Sequence, residues 1–171
     1  MKKNISKNWQ LRLYPDSVLR QKARPVTEIN QSVNDLIKGM AQLMYRYNGI
    51  GFAAPQVGIL QRIIIADIGG GLISLINPEI TRDVGFEKKE EGCLSLPEIQ
   101  VDISRSLNIL VKGTNLDGNE IALELSGLMA RVIQHEMDHL NGKLIIDHAS
   151  SVDRYIFNKQ LDYLKMGYPY L

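Results

Sequence analysis

Only one cysteine, Cys93, occurs in the 171 residues. That excludes an intrachain disulfide framework and makes a reducing, intracellular compartment the expectation. The chain also lacks a surplus of charge of either sign: 20 Lys and Arg against 19 Asp and Glu leave a formal net charge of +1. Its densest charged cluster, EKKEE at 87–91, mixes both signs. With no basic patch or stripe to follow a phosphate backbone, sequence-specific nucleic-acid binding is not expected. Long hydrophobic runs are missing too. The most apolar region, IIIADIGGGLISLI, is broken by Asp67 and three consecutive glycines, and the opening MKKNISKNWQLRLYP has no uninterrupted apolar stretch of a signal peptide. The expectation is a soluble, cytoplasmic protein without membrane attachment. Solenoid repeats and low-complexity tracts are also absent, which argues against a stacked scaffold.

What is present suffices for one domain spanning residues 1–171, because a chain of this length buries a core without cross-links. Val33, Leu36, Ile37, Met40, Leu43, Met44 and Tyr47 recur every three or four residues and predict an N-terminal amphipathic helix ended by Asn48-Gly49. RIIIAD and LISLINPEI read as strands joined by the glycines at 69–71 and buried on both faces over part of their length. Asp117-Gly118 sits between a strand with Ile109 and Val111 and another with Ile121 and Leu123, the clearest hairpin signal in the chain. Ser126 is placed to cap a further helix carrying Leu128, Met129, Val132, Ile133 and Leu140, with Gly142 to stop it. Tyr155, Ile156, Leu161 and Leu164 predict a C-terminal helix from near Ser151 to Gly167, with Pro169 beyond. Helices at both ends and one inside a strand-rich chain make this an α+β domain rather than a doubly wound sheet.

The chemistry concentrates in VIQHEMDHLNG. His135 and His139 are four apart and stack on one helical face, where one divalent cation can bridge them, and Glu136 directly follows the first histidine as a general base for water activated by the metal. A third ligand has several candidates. Asp147 and His148 lie downstream; Cys93, Glu90 and Glu91 lie upstream in EEGCLSLPE. Cys93 is the better one, since a thiolate suits borderline-soft cations, and a Cys-His-His set leaves the fourth position open, as catalysis requires. Spacing alone does not choose between Cys93 and His148. GIGFAAPQVG, at 49–58, fails as a dinucleotide fingerprint: it follows a predicted helix, and Pro55 precedes any helix start. Its small residues and Gln56 suit instead a tight loop that lets a substrate backbone pass while one amide donor points into the site.

Taken together and in this order, GIGFAAPQVG, EGCLSLP and QHEMDHLNG resemble the three signature motifs of the peptide deformylase family, and the likeness runs from LRLYPDSVLRQKARPV through INPEI to GKLIIDH. The resemblance implies a compact α+β domain with antiparallel sheets around the HExxH helix. It implies removal of the formyl group from N-formylmethionyl nascent polypeptides, releasing formate and a free N-terminal methionine. The family's metal ligands fall on Cys93, His135 and His139, its catalytic glutamate on Glu136, its amide donor on Gln56 and its oxyanion backbone N–H on Leu94, which returns His148 to a structural part. One divalent ion is implied, Fe2+ in the family, with Zn2+, Ni2+ or Co2+ as replacements. Ile50, Gly51, Val132 and Ile133 are the expected wall for the methionine side chain. No obligate protein partner is expected beyond the nascent peptide and a transient ribosome contact.

Three departures stand out. Phe52 replaces the family's usual Leu and is expected to narrow the pocket edge; Gln100 falls where some bacterial members carry a substrate-contacting Arg; and the C-terminal VDRYIFNKQLDYLKMGYPYL is mixed in charge where some bacterial members have a basic helix for ribosome docking. The competing readings are a general metallopeptidase on the same helix, a metal-stabilised binding module without turnover, and a Cys93 nucleophile paired with histidine.

Overall fold

The computed structural model describes residues 9–166. Helix α1, Gln31–Arg46, starts where Asn30 turns its side-chain oxygen back to the N–H groups of Ser32 and Val33, at 3.0 and 3.4 Å. The three-and-four spacing becomes a buried stripe of Val33, Leu36, Ile37, Met40, Leu43 and Met44. Asn48, in the left-handed region at φ 55°, reverses the chain beyond it.

Five strands follow in one antiparallel sheet, in spatial as well as chain order: β1 Gly51–Ala53, β2 Ile63–Ala66, β3 Ile73–Cys93, β4 Leu96–Thr114 and β5 Glu120–Ser126. Several sheets were expected; among the described residues the strands join into one. β2 explains its own apolar run. Ile63 and Ile65 face the cluster under α1, while Ile64 and Ala66 face the opposite cluster, under the helix that carries the histidines, so both faces are buried. Each fully buried isoleucine contributes roughly 1.5–3 kcal/mol relative to exposure.

The largest difference from expectation is the β3–β4 ribbon. No element was expected over residues 81–106, yet β3 continues to Cys93, turns through Leu94 and Ser95, and returns as β4, with Cys93 paired to Leu96. β3 is exposed on both faces from Thr81 to Phe86, which removes the alternation that marks a half-buried strand. β4 does alternate, burying Ile99, Val101 and Ile103 between the exposed Gln100, Asp102 and Ser104.

The expected hairpin is present, with Val111 opposite Leu123 and Asn115 accepting from the N–H groups of Asp117 and Asn119. Helix α2, Gly127–Leu140, packs on β1, β2, β4 and β5. Ser126 occupies its N-cap as expected but makes no capping hydrogen bond. Gly142 ends it at φ 70°, and a Cβ there would lie 2.6 Å from the Arg20 carbonyl oxygen, so glycine is required twice over. Helix α3, Ser151–Lys165, buries Leu161 against a third cluster with Cys93, Leu96 and Ile99, while Tyr155 faces solvent. Its expected end at Gly167 and Pro169, and the side chains of Ile156 and Leu164, lie outside the described residues. No helix among the described residues is long and apolar enough to cross a membrane.

Candidate active site

Two elements with nothing in common in sequence deliver the donor atoms. α2 presents His135 and His139 one turn apart on the face turned toward β3, and the two-residue turn after β3 puts Cys93 at the tip of the ribbon. The donor atoms of Cys93, His135 and His139 lie within 4.8 Å of one another, and Cys93 Sγ is 3.3 Å from His139 Nε2. A cysteine sulfur and two imidazoles converging at this spacing fit a divalent cation with an open coordination position. The other candidates go elsewhere. His148 Nε2 sits 2.7 Å from Asp138 Oδ2, and Asp147 pairs with Arg20 and accepts from the Leu144 N–H.

Glu91, weighed from the sequence only as a ligand, instead orients one. Its Oε2 is 3.1 Å from His135 Nδ1, which turns Nε2 of that ring toward Cys93 and His139. Glu91 also accepts two bonds of 3.0 Å from Arg105 and one of 2.7 Å from Arg131 Nη1, and Arg105 goes on to Asp138 at 2.6 Å. All of Glu91, Arg105 and Arg131 are buried. Burial alone would push the Glu91 carboxyl up, but the hydrogen bonds from His135 and Arg105 and their charges hold it at about 2. Neither arginine was singled out from the sequence. ISRS and LMAR carry no ligand spacing, and only the β3–β4 ribbon brings them to Glu91.

Glu136 is 4% exposed and its Oε2 has no partner among the described residues, while burial raises its carboxyl to about 7. The neighbouring imidazoles split. Burial works against a charge on both rings; it holds His139 well below its ordinary value, whereas hydrogen bonds to Cys93 and Glu91 raise His135 despite it. A cation held by the three donors would take the place of the proton that His135 gains.

A cavity of about 750 Å3 opens onto this cluster, lined among others by Ile50, Gly51, Gln56, Leu94, Val132, His135 and Glu136. Gln56 is held at both ends of its amide: Oε1 accepts from the Ala53 N–H at 2.8 Å, and Nε2 donates to Ser95 Oγ at 3.2 Å. Gly51 allows Glu136 its place, since a Cβ there would meet Glu136 Oε1 and Val132 Cγ1. Two expectations are corrected. Ile133 does not line the cavity; a 100° helical step past Val132 turns it into the core with Ala130 and Leu140. Phe52 is fully buried among the α1 residues, because alternation along β1 points it away from the side that Gly51 presents to the cavity. Gln100 is exposed and does not line the cavity.

The sequence profile of the family described as polypeptide deformylase matches residues 9–155. The peptide deformylase of Thermotoga maritima is 49% identical over 154 residues, covering 90% of this chain and 94% of that protein, and the peptide deformylase of Thermodesulfovibrio yellowstonii is 47% identical over 156 residues, covering 88% and 94%. Among solved structures, the Thermotoga maritima enzyme superposes with a TM-score of 0.81 at 50% identity, covering 83% of this chain and 97% of that one. A peptide deformylase from Legionella pneumophila superposes with a TM-score of 0.87 at 36% identity, covering 92% and 95%. By profile, by sequence identity across most of both chains and by fold, this chain belongs to the polypeptide deformylase family.

Proposed function

We infer that the chain removes the N-formyl group from nascent polypeptides with a divalent cation held by Cys93, His135 and His139. The observation that carries the assignment of the centre is the convergence of these donors beside a buried Glu136 whose Oε2 has no partner among the described residues, on the wall of a cavity. A cation bound there supplies Lewis acidity, acidifying a water and polarising the formyl oxygen. Glu136, which lines the cavity beside the three donors, accepts the proton of the attacking water as general base. As negative charge develops on the former carbonyl oxygen, the Gln56 N–H not used by Ser95 and the Leu94 backbone N–H donate to it. Glu136 then passes the proton to the amine nitrogen as the C–N bond breaks, so formate and a peptide with a free N-terminus leave. Ile50, Gly51 and Val132 receive the methionine side chain.

Fe2+ is the proposed ion, with Zn2+, Ni2+ or Co2+ able to replace it on a donor set of this softness. The proposed compartment is the cytoplasm, in keeping with a free cysteine serving as ligand, and ribosome contact is proposed to be transient. The test is anaerobic purification with metal analysis, followed by hydrolysis of formyl-Met-Ala and acetyl-Met-Ala. Turnover of the formyl peptide alone, lost on chelation and restored by Fe2+, is the expected result. Equal cleavage of both peptides would move the reading to a general metallopeptidase.

A further inference from the structure

Arg131 has no assigned part in the reaction, yet it lines the same cavity. It stands one helical turn before His135 as Val132 stands one turn before Glu136, so Leu128, Arg131, Val132, His135 and Glu136 form the stripe that α2 turns to the cavity. Its side chain is 9% exposed. Nη1 donates to Glu91 Oε1 at 2.7 Å and to the Ile103 carbonyl at 2.9 Å, and Nη2 to the Glu87 carbonyl at 2.6 Å. A guanidinium carries five N–H donors. The Nε–H and the second Nη2–H therefore have no protein acceptor among the described residues. Neither nitrogen is among the buried polar atoms left without a partner, so a donor of this kind on a cavity wall is accessible and free to donate to a bound ligand.

The acceptor that fits is neutral. Glu90, Glu91, Glu98 and Glu136 all line the cavity, so a side chain ending in a carboxylate meets acidic neighbours, and Glu91 already balances the Arg131 charge. A methionine thioether accepts only weakly, and an apolar chain in this slot would lie against the aliphatic stem of Arg131 beside Val132. Oxidation of that thioether adds a polar S=O oxygen, which takes a hydrogen bond from a cationic donor strongly. We propose that Arg131 is a specificity-determining residue that lets the slot accept N-formylmethionine sulfoxide as well as N-formylmethionine, so that the protein deformylates chains whose first side chain has been oxidised. The reaction is unchanged: water adds to the formyl carbon, the C–N bond breaks, and formate and a free amine result, with the sulfur's oxidation state untouched. The proposal rests on the methionine side chain occupying the slot beside Val132.

The experiment measures kcat/KM for formyl-Met-Ala-Ser, its sulfoxide and the formyl-norleucine analogue on the metal-loaded protein and on R131M, R131K and V132F. Ratios between peptides are taken within one preparation, so partial folding or metal loading divides out, and R131K serves if R131M does not fold. The wild-type protein is expected to hydrolyse the sulfoxide within about tenfold of the thioether, and R131M to lower that ratio by at least roughly tenfold while leaving the norleucine-to-methionine ratio in place. V132F is expected to depress the methionine and norleucine peptides relative to formyl-Gly-Ala-Ser. A wild-type ratio below about one hundredth, or the same ratio in the Arg131 variants as in the wild type, overturns the part given to Arg131 even where V132F behaves as expected. Unchanged selectivity in V132F overturns the slot assignment itself, and the proposal with it.

Discussion

Replacing Glu136 with Gln separates the cost of this carboxylate from its use. Burial moves its carboxyl from an ordinary 4.5 to about 7, and its Oε2 has no partner among the described residues, so the metal-free folded chain is expected to keep a proton on Glu136 that the unfolded chain has released. Between these two values the folded state binds more protons than the unfolded state, and stability falls as pH rises; below 4.5 and above 7 the contribution is flat. At about 1.4 kcal/mol per pH unit, the whole interval amounts to ~3 kcal/mol. Groups remote from Glu136 subtract out, so the stability of metal-free E136Q relative to wild type should rise from pH 4 to pH 8 by on the order of 3 kcal/mol, with His135, whose charge Glu136 favours, adding its own change to the difference. Urea denaturation at half-unit pH steps measures it. Loading with metal should shrink the difference, because a neighbouring cation favours the charged carboxylate. The same variant should keep its metal and lose roughly 100-fold or more in formyl-peptide turnover, since an amide cannot take the water proton. A relative stability independent of pH would refute the buried-charge argument, and near-full turnover would refute the general base.

Cys93 should react with iodoacetamide in the metal-free protein and much more slowly in the loaded one. C93S should lose metal and activity together while H148A spares both, and loss of metal in H148A would instead favour a downstream ligand. G51A places a methyl against Glu136 Oε1 and Val132 Cγ1, so turnover should drop about tenfold or more with metal retained; unaltered kinetics would show that the contact relaxes freely. R105M leaves Glu91 and Asp138 without a buried guanidinium and should cost about 3–5 kcal/mol by urea denaturation, whereas R82A, which breaks the exposed pair with Glu124, should cost less than about 1 kcal/mol.

Local pattern alone specified much of this molecule. The stripe of α1, the buried run of β2, the Asp117-Gly118 hairpin and the stacking of His135 over His139 all follow from periods of 3.6 and 2 that a reader of the chain can count. The likeness of three motifs to a known family carried the donor set and Glu136 further than spacing could. The course of β3 from Thr81 to Phe86 is not legible in the sequence, because a strand exposed on both faces needs no apolar alternation, whereas the alternation of Ile99, Val101 and Ile103 in β4 is a local signal of a strand. The choice of Cys93 over His148 depends on the β3–β4 ribbon: its two-residue turn carries Cys93 back to α2, while His148 is held off by Asp138. Glu91, Arg105 and Arg131 likewise acquire their parts only from the pairing of β3 with β4 and the packing of α2. A sequence determines which face of a helix or strand is apolar. Which charged residues meet beneath that face depends on long-range strand register, and no local period encodes that.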